Sequence, residues 1–224
     1  MVAFTILLGD NCLRHEILYR PTYSVLKIDL DPEERVEAEA GALMMYEGDI
    51  EVHTRSRGLL RALTTGESLF VNTYRAKSHA TLWFAPPFPG DLIYIRLDGT
   101  KGLIVNDKCY LASHGNIEHK VVWRGLKGVF GGGGLLWLKF TGVGGVWVYA
   151  YGGIVEKEVA LGSQLVIDNT HLVAMEDTLD YRIRRFGGLK TFFFGGEGFV
   201  FTVQGKGKIF IQTRNPAIWF TRSR

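Results

Sequence analysis

Cysteine is scarce in this chain: Cys12 and Cys109 are the only two among 224 residues, and they form no CxxC pair. That excludes a disulfide framework and a cysteine zinc site of ordinary spacing. Two isolated thiols fit a reducing compartment, so both are expected to be reduced, not bonded to each other, in a cytoplasmic protein. Proline is equally sparse, at 6, and glycine follows no collagen-like period. Charge of one sign is nearly balanced by the other, and a formal net charge of +3 is too small to imply a nucleic-acid partner by itself. The opening "MVAFTILLGD" has no basic residue ahead of its apolar run, which stops at Gly9-Asp10, so it does not read as a signal peptide. No long stretch carries the 3.6-residue period of an amphipathic helix.

What is present is a globular composition, 46% hydrophobic and 22% charged, in a chain read as a single compact unit over 1–224. Glycine is abundant: 28 residues, about one in eight, against roughly 7% in average proteins. It concentrates in "KGVFGGGGLLWLKF", residues 127–140. From Gly128 to Val155 the one charge is Lys139, and that length would cross a bilayer core of about 30 Å. The segment alternates instead, with Leu136, Leu138 and Phe140 on one side and Trp137, Lys139 and Thr141 on the other, which is the period of a strand.

The chain is self-similar. Sliding it by 67 and then by a further 62 residues superposes Val36 on Leu103 and Leu165, and Met44 on Leu111 and Val173. The same offsets bring together Ile50, Ile117 and Leu179, then the acidic column Glu51, Glu118 and Asp180. Two columns are glycine throughout: Gly58, Gly125 and Gly187, then Gly66, Gly133 and Gly195. This predicts three copies of about 65 residues, near 24–88, 91–153 and 157–213. The four consecutive glycines then belong to a loop that occurs three times.

Each copy reads as β. "SVLKIDL", "RVEAEAGALMM", "DIEVHT", "SLFVNTY" and "ATLWF" are the strands of the first. "GLIV", "CYLAS", "IEHKVVW", "LLWLKF" and "VWVYAY" supply the second, and "QLVI", "HLVAM", "LDYRIRR", "GFVFTV" and "KIFIQT" the third. Turns are expected at "LDGTKG", "TGVGG" and "QGKGK". "DPEERVEA" has a helix-like composition but aligns with strands in the other copies. The expected fold is all-β: three tandem sandwich-like repeats in a pseudo-threefold arrangement, of double-stranded β-helix type.

Catalytic signatures are missing. Neither Gly-Lys pair, at 205–206 and 207–208, has the upstream glycine or the following Ser or Thr of a phosphate-binding loop. "TGVGGVW" is not GxGxxG, and no serine sits in GxSxG. None of the six histidines recurs as histidine across the copies. No catalytic residue, cofactor or metal is therefore expected, and the acidic column is read as a solvated face. The repeated glycine loops combine cations with bulky apolar groups, and Arg61, Lys127, Phe130, Lys190, Phe192 and Phe193 form the candidate interaction surface. Such a surface suits a second copy, another protein or a membrane face. RNA is the alternative partner, favoured by "YRIRR" (181–185) and "FTRSR" at the end, although no nucleic-acid motif is present.

The segments "VEAEAGALMMYEGDIEV", "GESLFVNTYRA", "APPFPGDLIYIRL" and "GKIFIQTR" resemble, in order and spacing, those of the Aim-type (altered inheritance of mitochondria) proteins. The resemblance runs from Tyr23 to Arg214, and departs where "DPEERV" stands in place of the family's frequent Pro-Gly-Glu turn. It implies a fold similar to the tryptophan RNA-binding attenuation protein, whose small β-sandwich subunits assemble as a ring. The mitochondrial branch is linked to inner-membrane organisation. No residue for RNA or tryptophan binding transfers to this chain. The function expected is a non-enzymatic scaffold or interaction module, homo-oligomeric and peripheral to a membrane; the alternative is a ligand- or RNA-binding module.

Overall fold

A computed structural model describes residues 13–57, 69–124, 136–186 and 199–216. Its strands are β1 (Arg14–Leu18), β2 (Val25–Leu30), β3 (Arg35–Glu39), β4 (Leu43–Glu47), β5 (Ile50–Arg57), β6 (Leu69–Ala76), β7 (Ala80–Phe84), β8 (Leu92–Asp98) and β9 (Leu103–Asn106). A 3₁₀ turn at Asp107–Cys109 leads into β10 (Tyr110–Arg124), β11 (Leu136–Tyr149), β12 (Ile154–Val159), β13 (Gln164–Asp168), β14 (Leu172–Glu176), β15 (Leu179–Arg185), β16 (Phe199–Gly205) and β17 (Gly207–Gln212). They form three antiparallel sheets. One has four strands, ordered β1-β2-β7-β4; one has ten, ordered β12-β17-β14-β9-β11-β10-β3-β6-β5 with β8 beside β11; one has three, ordered β13-β16-β15. The all-β expectation holds.

Alternation explains the strands. In β2 Leu26, Ile28 and Leu30 point inward, and opposite them in β7 stand Phe84, Leu82 and Ala80. Each such large side chain contributes about 1.5–3 kcal/mol on burial. "DPEERVEA" is no helix: Asp31 N–H donates to the Glu34 carboxylate at 2.8 Å, Glu33 takes a positive φ, and β3 follows.

One expected turn is absent. "TGVGG" lies inside β11, and "CYLAS" and "IEHKVVW" are one strand, β10. Glycine serves there to let the backbones of two long paired strands approach closely. A Cβ on Gly142 would stand 2.1 Å from the Asn116 carbonyl oxygen, and one on Gly144 would stand 2.1 Å from that of His114. Both glycines have positive φ, and Gly144 faces Gly115 across the pair. Along this stretch β11 changes partners, from β9 at Trp137–Phe140 to β8 at Val143–Tyr149.

The pairing is patterned along the chain. A register shift falls between Leu43 and Met45 where β4 meets β7, between Tyr110 and Ala112 where β10 meets β11, and between Leu172 and Ala174 where β14 meets β17. Tyr110 follows Leu43 by 67 residues and Leu172 follows Tyr110 by 62. Hairpin registers keep the same spacing: Arg57↔Leu69 and Arg124↔Leu136 each differ by 67, and Ile50↔Ala76 and Leu179↔Gly205 each differ by 129.

Two strand junctions also match. β10 joins β3 through Ala112↔Ala38 and Ser113↔Glu37, and β14 joins β9 through Ala174↔Val105 and Met175↔Ile104. Beside them, Tyr23 and Gly90 form a parallel bridge, as do Gly90 and Gly152. Ser24 N–H donates to the Gly90 carbonyl at 3.1 Å, and Asp91 N–H to that of Gly152 at 2.8 Å. Only glycine fits at position 90, where a Cβ would lie 1.8 Å from the Ala150 carbonyl oxygen.

Three apolar clusters follow. The first holds Leu26, Ile28, Val36 and Phe84 and takes in Leu111 and Ala112. The second holds Leu103, Val105, Phe140 and Val148 and takes in Val173 and Ala174. The third holds Ile167, Phe201, Val203 and Ile209 and includes no described residue before Ile104. Met44, Leu111 and Val173, which the sequence aligns, therefore differ in burial: Met44 is 60% exposed and the other two are fully enclosed.

Candidate interaction site

The glycine loops, with Arg61, Lys127, Phe130, Lys190, Phe192 and Phe193, lie outside the described residues. Their bases are described, as the strand pairs Arg57↔Leu69, Arg124↔Leu136 and Arg185↔Phe199. In the acidic column, the Glu51 carboxylate lies 3.5 Å from the Arg75 guanidinium and 3.2 Å from the His53 ring, while Glu118 and Asp180 are exposed. Of "YRIRR", Arg182 and Arg184 face solvent on β15, and Arg184 Nε donates to Thr202 Oγ1 at 3.1 Å. "FTRSR" is outside the described residues. Among the described residues there is no cluster of metal-ligating side chains and no helix long and apolar enough to cross a membrane.

Two buried polar groupings sit at the first junction, neither of them marked by the sequence. His15 and His114 pack around Tyr94 and Trp147, with ring centroids 4.6–5.8 Å apart, and the Tyr94 hydroxyl is 2.9 Å from His114 Nε2. Burial, aided by the neighbouring His15, pushes His114 down to about 4, and burial lowers His15 as well. Both rings are therefore neutral at pH 7 and act as core aromatics. The second grouping joins Glu39, Asp107, Cys109 and Tyr149. Burial and the Asp107 charge push Glu39 up to about 7, opposed by a hydrogen bond with Tyr149. Burial also raises the Cys109 thiol far above its ordinary value. Cys109 is free and enclosed, which suppresses the thiolate a nucleophile needs. Cys12 lies outside the described residues.

Asp91 ties the first junction. Its buried carboxylate takes two hydrogen bonds from the Arg20 guanidinium, at 2.8 and 2.9 Å, and one from Leu92 N–H at 2.8 Å. The Ser24 hydroxyl donates to it at 3.3 Å.

The largest exposed apolar features on named strands are at sheet edges. β4 ends the four-stranded sheet, and among the described residues it has β7 as its one strand partner. Met44, Met45 and Tyr46 on it are 60%, 42% and 49% exposed. β13 ends the three-stranded sheet with β16 as its one partner among the described residues, and its Val166 is 47% exposed. An edge strand presents unpaired backbone donors and acceptors and is a template for another strand. The sequence marked neither edge, because "LMMYE" carries the same apolarity as the enclosed strands it aligns with.

Among known proteins, the chain matches the family model described as Mitochondrial biogenesis AIM24 over residues 15–214. It is 30% identical over 220 residues to a curated protein of Streptococcus pyogenes serotype M6, "Uncharacterized protein M6_Spy0233", covering 92% of this chain and 88% of that one. A crystal structure of protein SPYM3_0169 from Streptococcus pyogenes superposes with a TM-score of 0.78 at 28% identity, covering 92% of this chain and 96% of the other. With a family match spanning nearly every described strand and relatives that share its length and its fold, the chain belongs to the Mitochondrial biogenesis AIM24 family.

Proposed function

We propose that the protein is a non-enzymatic assembly module built of three tandem β units, in an arrangement like that of the attenuation protein. The observation that carries this reading is the recurrence of one register shift in β4, β10 and β14 at spacings of 67 and 62 residues. The two junctions support it, since β3 to β10 and β9 to β14 pair in the same register under the same spacings. A chain whose units attach through strand edges is organised for attachment rather than turnover. The buried ionisable groups fit this too: the histidines are held neutral and Cys109 is held as a thiol, each enclosed at a junction. Membrane association rests on the loops that bear Phe130, Phe192 and Phe193.

Native mass spectrometry of protein purified from its own source tests the reading. Masses at whole multiples of 25.1 kDa, or one stoichiometric protein partner, with no bound small molecule, are expected. A chain carrying a stoichiometric organic ligand or metal ion would overturn it in favour of a ligand-binding module. RNA retained in a salt-dependent way would favour the nucleic-acid alternative. Flotation with anionic vesicles, lost on replacing Phe130, Phe192 and Phe193 by serine, tests the membrane part.

A further inference from the structure

We propose that β4 of one chain pairs antiparallel with β13 of a second copy, Met45 opposite Ile167 and Tyr46 opposite Val166, so that chains associate head to tail. The inference rests on the three-unit reading above and gives it a surface, a register and a partner.

At each internal junction a β4-like strand of one unit pairs with a β3-like strand of the unit before it: β10 with β3, and β14 with β9. Three units in one chain make two such junctions and leave one strand of each kind over. Those two strands are β4 and β13, each at one end of its sheet, the four-stranded and the three-stranded respectively. The register follows from the junctions seen. Ala112↔Ala38 and Ala174↔Val105 are related by the spacings 67 and 62, and one further step in the same pattern sets Met45 against Ile167.

Side chains agree with the backbone. Leu111 and Ala112 enter the first apolar cluster, built mainly from the preceding unit, and Val173 and Ala174 enter the second in the same way. The third cluster has no such donor among the described residues, while Met44 and Met45, the aligned pair, stand exposed at 60% and 42%. The missing donor and the exposed pair lie at opposite ends of one pattern, and a second copy brings them together. This is addition of a strand to an edge, with backbone hydrogen bonds supplying attachment and alternate side chains the specificity. Because the two surfaces differ, the contact is heterologous, and a series of them closes into a ring or extends as a filament.

Analytical ultracentrifugation of the full chain tests this with two half-blocked variants, Met45→Lys/Tyr46→Lys on β4 and Gln164→Lys/Val166→Lys on β13, each checked for its fold by circular dichroism. Wild type is expected to sediment at a whole multiple of 25.1 kDa above one. Each variant alone should sediment as a single chain, and an equimolar mixture should form a two-chain species and nothing larger, because each variant keeps the edge that the other lost. A wild type that stays a single chain, or either variant assembling alone as wild type does, would overturn the pairing. Should a lysine variant fail to fold, Tyr46→Cys/Val166→Cys in a Cys12→Ser background reads the register directly. An oxidised ladder of linked chains on a non-reducing gel supports it. Free chains only, or a bond closed within one chain, overturn it. A single-chain wild type that still co-purifies with a protein partner would remove this pairing and leave the assembly-module reading standing. A single chain with a bound small ligand would remove both.

Discussion

β10 and β4 begin with the same sequence logic and end in opposite surroundings. Leu111 and Ala112 at the start of β10 are fully enclosed, while Met44 and Met45 of β4 stand in solvent. A register shift of the same kind stands beside them, against β11 in one case and β7 in the other. What differs is the third strand: β3 covers β10, and among the described residues no strand covers the outer edge of β4. Local sequence sets a strand's shape, and its exposure depends on whether a further strand pairs with its edge.

The sharpest way to break this comparison is to place the same charge on both sides of it. Ala112→Lys buries an unpaired ammonium in the first cluster and should cost about 3–5 kcal/mol, read as a fall in the urea midpoint. Met45→Lys, at the aligned position on the open edge, should stay within about 0.5 kcal/mol for the single chain. Equal losses at the two sites would contradict the difference in environment.

Next in size is the tie at the first junction. Asp91→Ala leaves the partly exposed Arg20 guanidinium, the Leu92 N–H and the Ser24 hydroxyl without their shared acceptor, and should cost about 2–4 kcal/mol by thermal melting.

The histidine grouping sharpens the comparison through pH. His114 takes up its proton near 6.5 when unfolded and near 4 when folded. Between those values the unfolded chain holds more protons, so stability falls as pH drops from about 6.5 towards 4. The loss should be on the order of 2–3 kcal/mol for this group. Unfolding curves at pH 7 and pH 4.5 in a Glu39→Gln background isolate it, and adding His114→Gln should flatten the dependence. Glu39 works in the opposite direction over the same window, with a displacement of similar size. Its folded value of about 7 lies above its ordinary 4.5, so the folded chain holds the extra proton and stability falls as pH rises through that window. Glu39→Gln should therefore stabilise the protein at pH 8 by about 2–3 kcal/mol relative to wild type, as read from urea midpoints.

The strands were legible in the sequence where alternating apolar residues marked them. The offsets found from Gly58, Gly125 and Gly187 are the spacings at which the register shifts and the junctions recur. The run "TGVGG" misled because glycine signals positive φ, and positive φ serves close approach of paired strands as readily as a turn between them. The candidate site was less legible. The loops that bear Arg61, Lys127, Phe130, Lys190, Phe192 and Phe193 fall outside the described residues, and only the strand pairs at their bases are described. The exposed edges were invisible for a physical reason: Met44 and Leu111 are both apolar, and no local pattern reports which of two like strands has a neighbour. Comparing the three aligned strands for burial is what separates them. The His15–His114 and Glu39–Tyr149 groupings were missed because their members come together only across the first junction, from residues 99 and 110 apart.

Amide hydrogen exchange on the wild-type chain, followed from dilute to concentrated solution, tests the unmatched junction most directly. At the internal junctions Leu111–Ser113 and Val173–Met175 should be protected at every concentration. The outward amides of β4 and β13 should exchange freely when dilute, and should gain protection together as concentration rises. Protection of both edges in chains that sediment singly, or of neither at any concentration, would contradict the account.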